Sequence, residues 1–477
     1  MTLEMRALVA TMLGACAPSL ESANVRELAL PASFEHTSAG ASIATVDWRA
    51  YFADEGLSAL VAEALANNLD LQIALQRIEI ARASIRASTD ALLPQISAAV
   101  GAGVTRYGRY TTDGSGNATT EITPGRLTPN PVGELSIGLQ ASWEADLWGR
   151  LRSLRGSARA QYLASIEGTN IVITNLVAEV AVHYYDLLAQ DHVRDILRET
   201  IARQTQAVEM VRVQKEAGRA NELAVQQFEA QLVETMALDA QTSQRIREAE
   251  NRLNVLLGRM PGPIARAKEK LHREVPVIAT GVPSELLRNR PDIREAELRV
   301  ESSRFDLAAA RAAFYPRLTI TADAGYGAFD PRYLISTPDS IVASLAAGLV
   351  APLVNRRAIE AEFAAARSTQ VQAMYEYQSV VLKSFAEVAT GLSAIEQSAQ
   401  IVELRKRKQA AVATTVETAD ALFRAGKASY FEVLLAQQNT LEAEIELVEA
   451  LRDQQVASVG IYKALGGGWR DTLSARR

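Results

Sequence analysis

The chain has 477 residues, of which 48% are hydrophobic, so it can bury a large core and is not a disordered polypeptide. Its 50 basic and 56 acidic residues give a net charge of -6, a balance that disfavours a nucleic-acid partner. Aromatic residues make up only 6%, and the long central segments are rich in Ala, Gln, Glu, Arg and Leu, which predicts a largely helical protein with coiled-coil segments.

The N-terminus contains the single cysteine, Cys16. Arg6 precedes a short apolar stretch, residues 7–13, and small residues follow it, which is the order of a secretory signal. "LGAC" (13–16) also resembles a bacterial lipoprotein box, which implies an N-acyl and S-diacylglycerol lipid on Cys16, and Ala17 then favours the outer membrane. A buried thiol in an ordinary helix is the alternative. One cysteine excludes a disulfide or a Cys-based zinc site within one chain.

Two segments of the chain repeat. Residues 74–94 match 296–316 at an offset of 222, and Gly218 matches Gly426 at an offset of 208. Each half is predicted to run helix, strand, loop, strand, very long helix, break, helix. The predicted divisions are a lipoprotein signal peptide (1–15), an extended N-terminal segment (16–55), a first repeat (56–258), an inter-repeat linker (259–282), a second repeat (283–466) and a C-terminal tail (467–477).

Four strands are predicted from the alternation of apolar with polar or small residues. They span about 94–107, 133–148, 316–327 and 341–353. A half-buried soluble sheet also alternates, but these strands are about ten residues long and carry aromatic residues towards their ends. That pattern is typical of an outer-membrane barrel with aromatic girdles. The aromatic residues are Tyr107, Trp143, Trp148, Tyr315 and Tyr326.

Four strands cannot close a membrane barrel, because known barrels have at least eight and an open edge cannot face lipid. Two chains would give a barrel filled by side chains, whereas three would give about twelve strands and a pore. A trimer is therefore predicted. We expect no transmembrane helix, since the longest apolar candidate, residues 341–354, has only 14 residues and contains Pro352.

Two very long helices are predicted at about 150–215 and 356–424, where proline is absent and glycine sparse. A return helix follows each, with apolar residues at coiled-coil spacings. Gly218 and Gly426 are predicted to end the long helices at the turns of two antiparallel hairpins, because glycine permits the left-handed conformation. A capping glycine needs no further function.

Several motifs together resemble one family. "GVPSELLRNRPDIREAE" (281–297), residues 47–79, "WEADLWGR" (143–150) and the two glycine breaks resemble the TolC/OprM-type outer-membrane efflux channels, in their NodT-like lipoprotein branch. The resemblance covers essentially the whole mature chain and departs at Asn289, where arginine is frequent. It implies a mainly α trimer whose 12-stranded β-barrel, four strands per chain, continues into a long periplasmic α-helical barrel, with the linker in an equatorial region.

The resemblance also implies a function. It predicts the outer-membrane channel of a tripartite efflux system, which receives drugs, organic acids or metal ions from an inner-membrane RND-type pump through a periplasmic adaptor. The hairpin tips, Gly218 with Arg219 and Gly426 with Lys427, would face the adaptor. Asp420 is the candidate periplasmic gate residue, because three copies around a narrow axis would repel one another and attract cations. The alternatives are that Arg424 pairs with it and acts as a latch, or that Asp420 is a solvated surface carboxylate.

No enzyme is predicted. The four histidines have no metal-ligand spacing, and no Walker motif is present, so we expect no metal, no catalytic residues and no cofactor beyond the lipid. Two other functions stay open. One is an outer-membrane conduit for type I protein secretion, and the other, from a different class, is a periplasmic coiled-coil scaffold whose strands are soluble hairpins.

Overall fold

A computed structural model describes residues 18–19, 28, 42–266, 271, 283–351 and 356–470. The predicted signal peptide and Cys16 lie outside the described residues. The helices are α1 (Trp48–Phe52), α2 (Glu55–Asn67), α3 (Leu69–Asp90), α4 (Thr112–Asn117), α5 (Arg150–Glu216), α6 (Glu222–Leu256), α7 (Pro283–Asn289), α8 (Pro291–Ala312), α9 (Arg356–Arg424) and α10 (Tyr430–Ala464). The strands are β1 (Gln95–Thr105), β2 (Glu121–Thr123), β3 (Arg126–Leu127), β4 (Val132–Ala145), β5 (Arg317–Ala328) and β6 (Ile341–Val350).

The chain divides into two compact units. Among the described residues, the first unit comprises 18–19, 79–163, 298–351 and 356–375, and the second comprises 28, 42–78, 164–266, 271, 283–297 and 376–470. The long helices agree with their predicted limits, since α5 has 67 residues and α9 has 69, and each is followed by a 35-residue return helix. The division of the sequence into repeats stays a prediction.

The first unit contains one antiparallel sheet with the strand order β1-β4-β5-β6. Its register places Val100 opposite Ile137, and Ile137 opposite Tyr326. The apolar residues that alternate along each predicted strand therefore lie on the same face of the sheet. This face is open, with Val100 80% and Leu345 79% exposed. β1 and β6 each pair on one side only within this sheet, which leaves two unpaired backbone edges.

In the first unit, the start of α5 packs closely against α8. A Cβ added at Gly156 of α5 would lie 2.8 Å from the Phe305 ring of α8, and the hydroxyls of Ser157 and Ser302 are 2.9 Å apart. Trp148 stacks on Tyr315 with 4.7 Å between ring centroids. The absence of a side chain at Gly156 therefore permits the close approach of α5 and α8.

The loop between β1 and β4 contains structure that the sequence did not predict. It contains α4, whose first turn is capped by the Thr111 hydroxyl accepting from the Gly114 N–H at 3.1 Å, and the short β2–β3 hairpin. The glycine and threonine content of this loop favours turns, and Thr111 supplies the helix cap, whereas the hairpin pairs Glu121 with Leu127 and Thr123 with Arg126.

The second unit has a hydrophobic core formed by the middle of α5, the α2 helix and the C-terminal ends of α6 and α10. Tyr51 of α1 stacks on Tyr462 of α10 with ring centroids 4.3 Å apart, and the Tyr51 hydroxyl donates to the Ser458 carbonyl at 2.9 Å. The prediction that residues 16–55 are extended is therefore wrong for Trp48–Phe52. Asp47 caps this short helix by accepting from the Arg49 N–H.

One part of α5 is long and apolar enough to cross a membrane by length and composition. Its 18-residue window has a mean hydropathy of 1.3, but 61% of that window is buried inside the protein. Val180, Tyr184 and Leu188 belong to the buried core of the second unit. Core packing therefore accounts for the apolar character of this window.

Candidate functional site

Both helical hairpins turn at a glycine in the left-handed region, with φ of 71° at Gly218 and 69° at Gly426. The Arg219 N–H donates to the Gln214 carbonyl at 2.8 Å, and the Lys427 N–H donates to the Leu422 carbonyl at 2.9 Å. These bonds satisfy carbonyls that would otherwise be left without partners at the helix ends. The predicted turns are confirmed.

The return helices start with side-chain caps three residues beyond each glycine. The Asn221 Oδ1 atom accepts from the Ala224 N–H at 2.9 Å, and the Glu432 carboxylate accepts from the Ser429 N–H at 2.6 Å. Together with the glycines, these caps make both turns short and locally determined.

A small hydrophobic cluster holds the two hairpins together next to their turns. It combines buried side chains of α5 and α6 with buried side chains of α9 and α10, so the two tips form one packed body. The buried members are Val208, Val211, Ala224, Val225, Phe228, Ala419, Val433 and Ala436.

The predicted gate residue and its predicted latch are paired. The Asp420 Oδ2 atom lies 2.6 Å from Arg424 Nη2, one turn further along α9. The Asp420 side chain is half-buried, whereas Arg424 is exposed. The pair therefore exists within a single chain, and its role in gating remains a proposal.

The other two predicted tip residues are exposed cations. Neither Arg219 nor Lys427 forms an ion pair with another described residue, and both follow a turn glycine directly. By contrast, Lys215 and Glu222 pair across the first turn at 2.5 Å, which raises the pKa of the Lys215 ammonium and lowers that of the Glu222 carboxyl through their hydrogen bond. Each tip thus presents one unpaired positive charge.

Asp420 and Arg424 also line a cavity that sequence reasoning missed. Its volume is about 420 Å³, and α5, α9 and α10 form its walls. The sequence held no signal for it, because its walls come from segments about 200 residues apart. The lining residues are Thr200, Arg203, Gln204, Gln206, Ala207, Met210, Ala413, Val416, Glu417, Asp420, Arg424, Gln437, Thr440, Leu441 and Glu444.

The "LLRNRPDI" motif holds the end of α10. Arg290 is buried, and its guanidinium donates to both carboxylate oxygens of Asp292, at 3.0 and 2.7 Å, and to the Ala464 carbonyl at 2.8 Å. The Asn289 carbonyl accepts from the Trp469 indole N–H at 3.1 Å, and its amide oxygen accepts from Arg470. The motif therefore has a structural role, and the start of the predicted tail is packed against it.

A buried charge network fixes the described part of the linker. Arg266 donates to both carboxylate oxygens of Asp191, which is 1% exposed, and lies 2.5 Å from a Glu250 oxygen. Burial acts to lower the Arg266 pKa, but the hydrogen bonds from these two carboxylates raise it above its ordinary value. Arg266 therefore stays charged and connects the linker to α5 and α6.

Within the described residues, no group of three or more His, Cys, Asp and Glu side chains is placed to hold a metal ion. His192 donates from Nδ1 to the Leu188 carbonyl oxygen at 3.0 Å. This contact within α5 is structural.

A four-stranded sheet with an exposed apolar face, joined in sequence to two capped helical hairpins, has the features of an outer-membrane channel. The family described as outer membrane efflux protein matches residues 60–259 and 282–467, and the chain belongs to this family. The resemblance drawn from its motifs is thereby confirmed.

Proteins similar in sequence to this chain include efflux proteins. The chain is 29% identical over 424 residues to the cation efflux system protein CusC of Escherichia coli O6:H1, covering 89% of this chain and 88% of that protein. It is 30% identical over 445 residues to the toluene efflux pump outer membrane protein TtgF of Pseudomonas putida, covering 91% and 87%. The solved open state of the Neisseria gonorrhoeae MtrE outer membrane channel matches with a TM-score of 0.81 at 26% identity, covering 95% and 98%.

The main functional prediction is therefore confirmed. The chain is an outer-membrane channel of the efflux type, and the proteins that it resembles are efflux channels rather than enzymes. Its mainly α fold with four β-strands in one sheet agrees with the predicted fold class.

Proposed function

We propose that the chain works as a homotrimer, as the passive outer-membrane conduit of a tripartite efflux system with a periplasmic adaptor and an inner-membrane RND-type pump. The observation that carries this proposal is the sheet of β1, β4, β5 and β6. It has two unpaired edges and an apolar face open to its surroundings. Three copies joined edge to edge make twelve strands and leave no edge facing lipid.

The lipid anchor belongs to the same proposal. An N-acyl and S-diacylglycerol group on Cys16 would hold the N-terminus of the mature chain at the outer membrane. Two or more acyl chains on one site give stable anchoring, which one chain does not.

The names of the relatives do not specify the cargo of this chain, because one is a cation efflux protein and another belongs to a toluene pump. We propose that the pump selects among drugs, organic acids and metal ions.

The hairpin tips are the proposed adaptor contact. Their turns are short and capped, and they carry the exposed cations Arg219 and Lys427 next to Gly218 and Gly426. Six such tips in a trimer would present a ring of positive charges to the adaptor. An acidic or carbonyl-rich adaptor surface would complement it.

The Asp420–Arg424 pair is the proposed gate. Three copies of Asp420 around a narrow axis would attract cations, and Arg424 would limit their mutual repulsion. Its test is single-channel conductance in planar bilayers. Asp420→Ala should increase conductance and abolish block by divalent cations, whereas Arg424→Ala should increase conductance and strengthen that block, because the carboxylate is then unpaired.

The matched control is Glu403→Ala, which breaks a pair of the same spacing on the same helix, with 3.1 Å between Arg407 Nε and Glu403 Oε1. It should leave conductance and block unchanged. Unchanged conductance together with unchanged cation block in Asp420→Ala would refute the gate assignment.

A further inference from the structure

The cavity between α5, α9 and α10 contains buried hydrogen-bonding groups without partners. Gln204 is only 2% exposed, and its Oε1 atom has no partner among the described residues. The Oε1 atom of Gln437 on α10 is also buried and has no hydrogen-bond partner among the described residues. Leaving such acceptors unsatisfied is unfavourable, and rotation about the last side-chain torsion can turn them towards a ligand.

The charges that line the cavity leave a negative excess. Asp420 and Arg424 neutralise each other at 2.6 Å. Of the remaining ionisable groups, Glu417 and Glu444 are acidic, and Arg203 is the only base among the lining residues outside that pair. Arg203 in turn donates to the Thr200 hydroxyl at 3.3 Å. The excess is therefore one carboxylate.

Glu444 is the carboxylate best placed to attract a cation. It is half-buried and forms no ion pair with another described residue. Burial raises the pKa of its carboxyl, Arg203 lowers it, and Glu199 on α5 raises it further. A positive charge next to Glu444 would stabilise the ionised form that burial disfavours.

The cavity wall also includes apolar side chains. Met210 and Ala207 of α5 lie on one side, with Val416 of α9 and Leu441 of α10 also lining the cavity. Its volume of about 420 Å³ is within the range of small-molecule sites. A bare metal ion is disfavoured, since no metal-binding group of acidic or histidine side chains exists in the described part of the chain.

We propose that this cavity binds a small organic cation, a protonated amine on an apolar body. Glu444 and the amide oxygens of Gln204 and Gln437 hold the ammonium group, and Met210 and Leu441 contact the apolar body. The site is formed by one chain, so binding does not require the trimer, a pump or an open gate.

Isothermal titration calorimetry on the purified full-length protein in detergent tests the site. Benzylamine, which is protonated at pH 7, should bind saturably with one site per chain, and benzyl alcohol, of similar shape but neutral, should bind at least about tenfold more weakly. Affinity for benzylamine should also fall as the pH is lowered through the Glu444 pKa, since the amine stays charged while the carboxylate is lost.

Glu444→Gln keeps the shape of the side chain and should weaken benzylamine binding by about tenfold or more. Glu442→Gln makes the same change of charge two residues away at an exposed position outside the lining, and should leave the affinity unchanged. No saturable binding, equal binding of the alcohol, or equal effects of the two variants would overturn the site. Conductance is measured separately, so failure of the proposed gate and failure of this site are distinct results.

Discussion

Arg290 donates a hydrogen bond from Nη1 to the carbonyl oxygen of Ala464, 2.8 Å away, at the end of α10. Asn68 does the same for α6, donating from Nδ2 to the Leu256 carbonyl at 3.0 Å. Each donor residue immediately precedes a helix, Asn68 before α3 and Arg290 before α8. The C-terminal ends of both return helices are thus held by a polar side chain from a helix start.

Removing the Arg290 side chain should destabilise the second unit. Arg290→Ala leaves the Ala464 carbonyl and the Asp292 carboxylate without this donor, which should lower the free energy of unfolding by about 2–3 kcal/mol. Arg290→Lys should recover only part of this, because an ammonium cannot form the forked pair. Denaturant unfolding followed by helical circular dichroism measures the effect.

The control for this prediction is Arg407→Ala, which removes an arginine paired with Glu403 on the exposed surface of α9. Exposed pairs contribute about 0–1 kcal/mol, so its unfolding midpoint should stay close to that of the unmodified protein. Equal destabilisation by the two variants would show that Arg290 does not hold α10.

Two glycines with the same backbone conformation should respond differently to alanine. Gly426 has φ of 69°, and a Cβ there meets nothing within 4 Å, so Gly426→Ala should destabilise only through backbone strain, by roughly 1–2 kcal/mol. Gly466 has φ of 89°, and its Cβ would lie 2.6 Å from the Asn289 carbonyl oxygen. Gly466→Ala should therefore lose clearly more, because the backbone of Asn289 must move.

The same unfolding measurement separates the two glycine variants. If Gly466→Ala were no worse than Gly426→Ala, the close packing of the α10 end against Asn289 would be wrong. Gly218→Ala provides a second control, since its Cβ also meets open space.

Charge on the two faces of β1 should have opposite consequences for membrane assembly. Val100 lies on the exposed apolar face near the middle of β1, and Val100→Arg should oppose insertion by about 2–4 kcal/mol. Ala99, paired with Gly138, points to the other face, and Ala99→Arg should insert while changing ion selectivity. Outer-membrane fractions and bilayer conductance report the two effects. Normal insertion of Val100→Arg would mean that this face does not contact lipid.

The main elements of the fold follow from local patterns. Alternation in the sequence predicted β1 at 94–107, and the structure has Gln95–Thr105. The long helices end two residues before Gly218 and Gly426, which form the predicted turns. These features depend on residues that are neighbours in sequence. The family resemblance likewise depended on local motifs. The "LLRNRPDI" motif indicated the family, but its contacts with the end of α10 were not predicted.

Features that depend on distant residues were not predictable. Arg290 meets Ala464, and Gln204 shares a cavity with Glu444, only once the helices have packed. The short helix Trp48–Phe52 was not predicted, because its five residues are too few to show helical periodicity. It is stabilised by the stacking of Tyr51 on Tyr462, which is distant in sequence. Tertiary contact decides such segments.

Closure of the barrel by three chains is the central claim, and native mass spectrometry of the full-length protein released from detergent micelles tests it most directly. The two unpaired edges of the four-stranded sheet predict a complex of three chains, which gives twelve strands. A single chain or a dimer as the detergent-stable species would contradict it, because four or eight strands cannot enclose a pore.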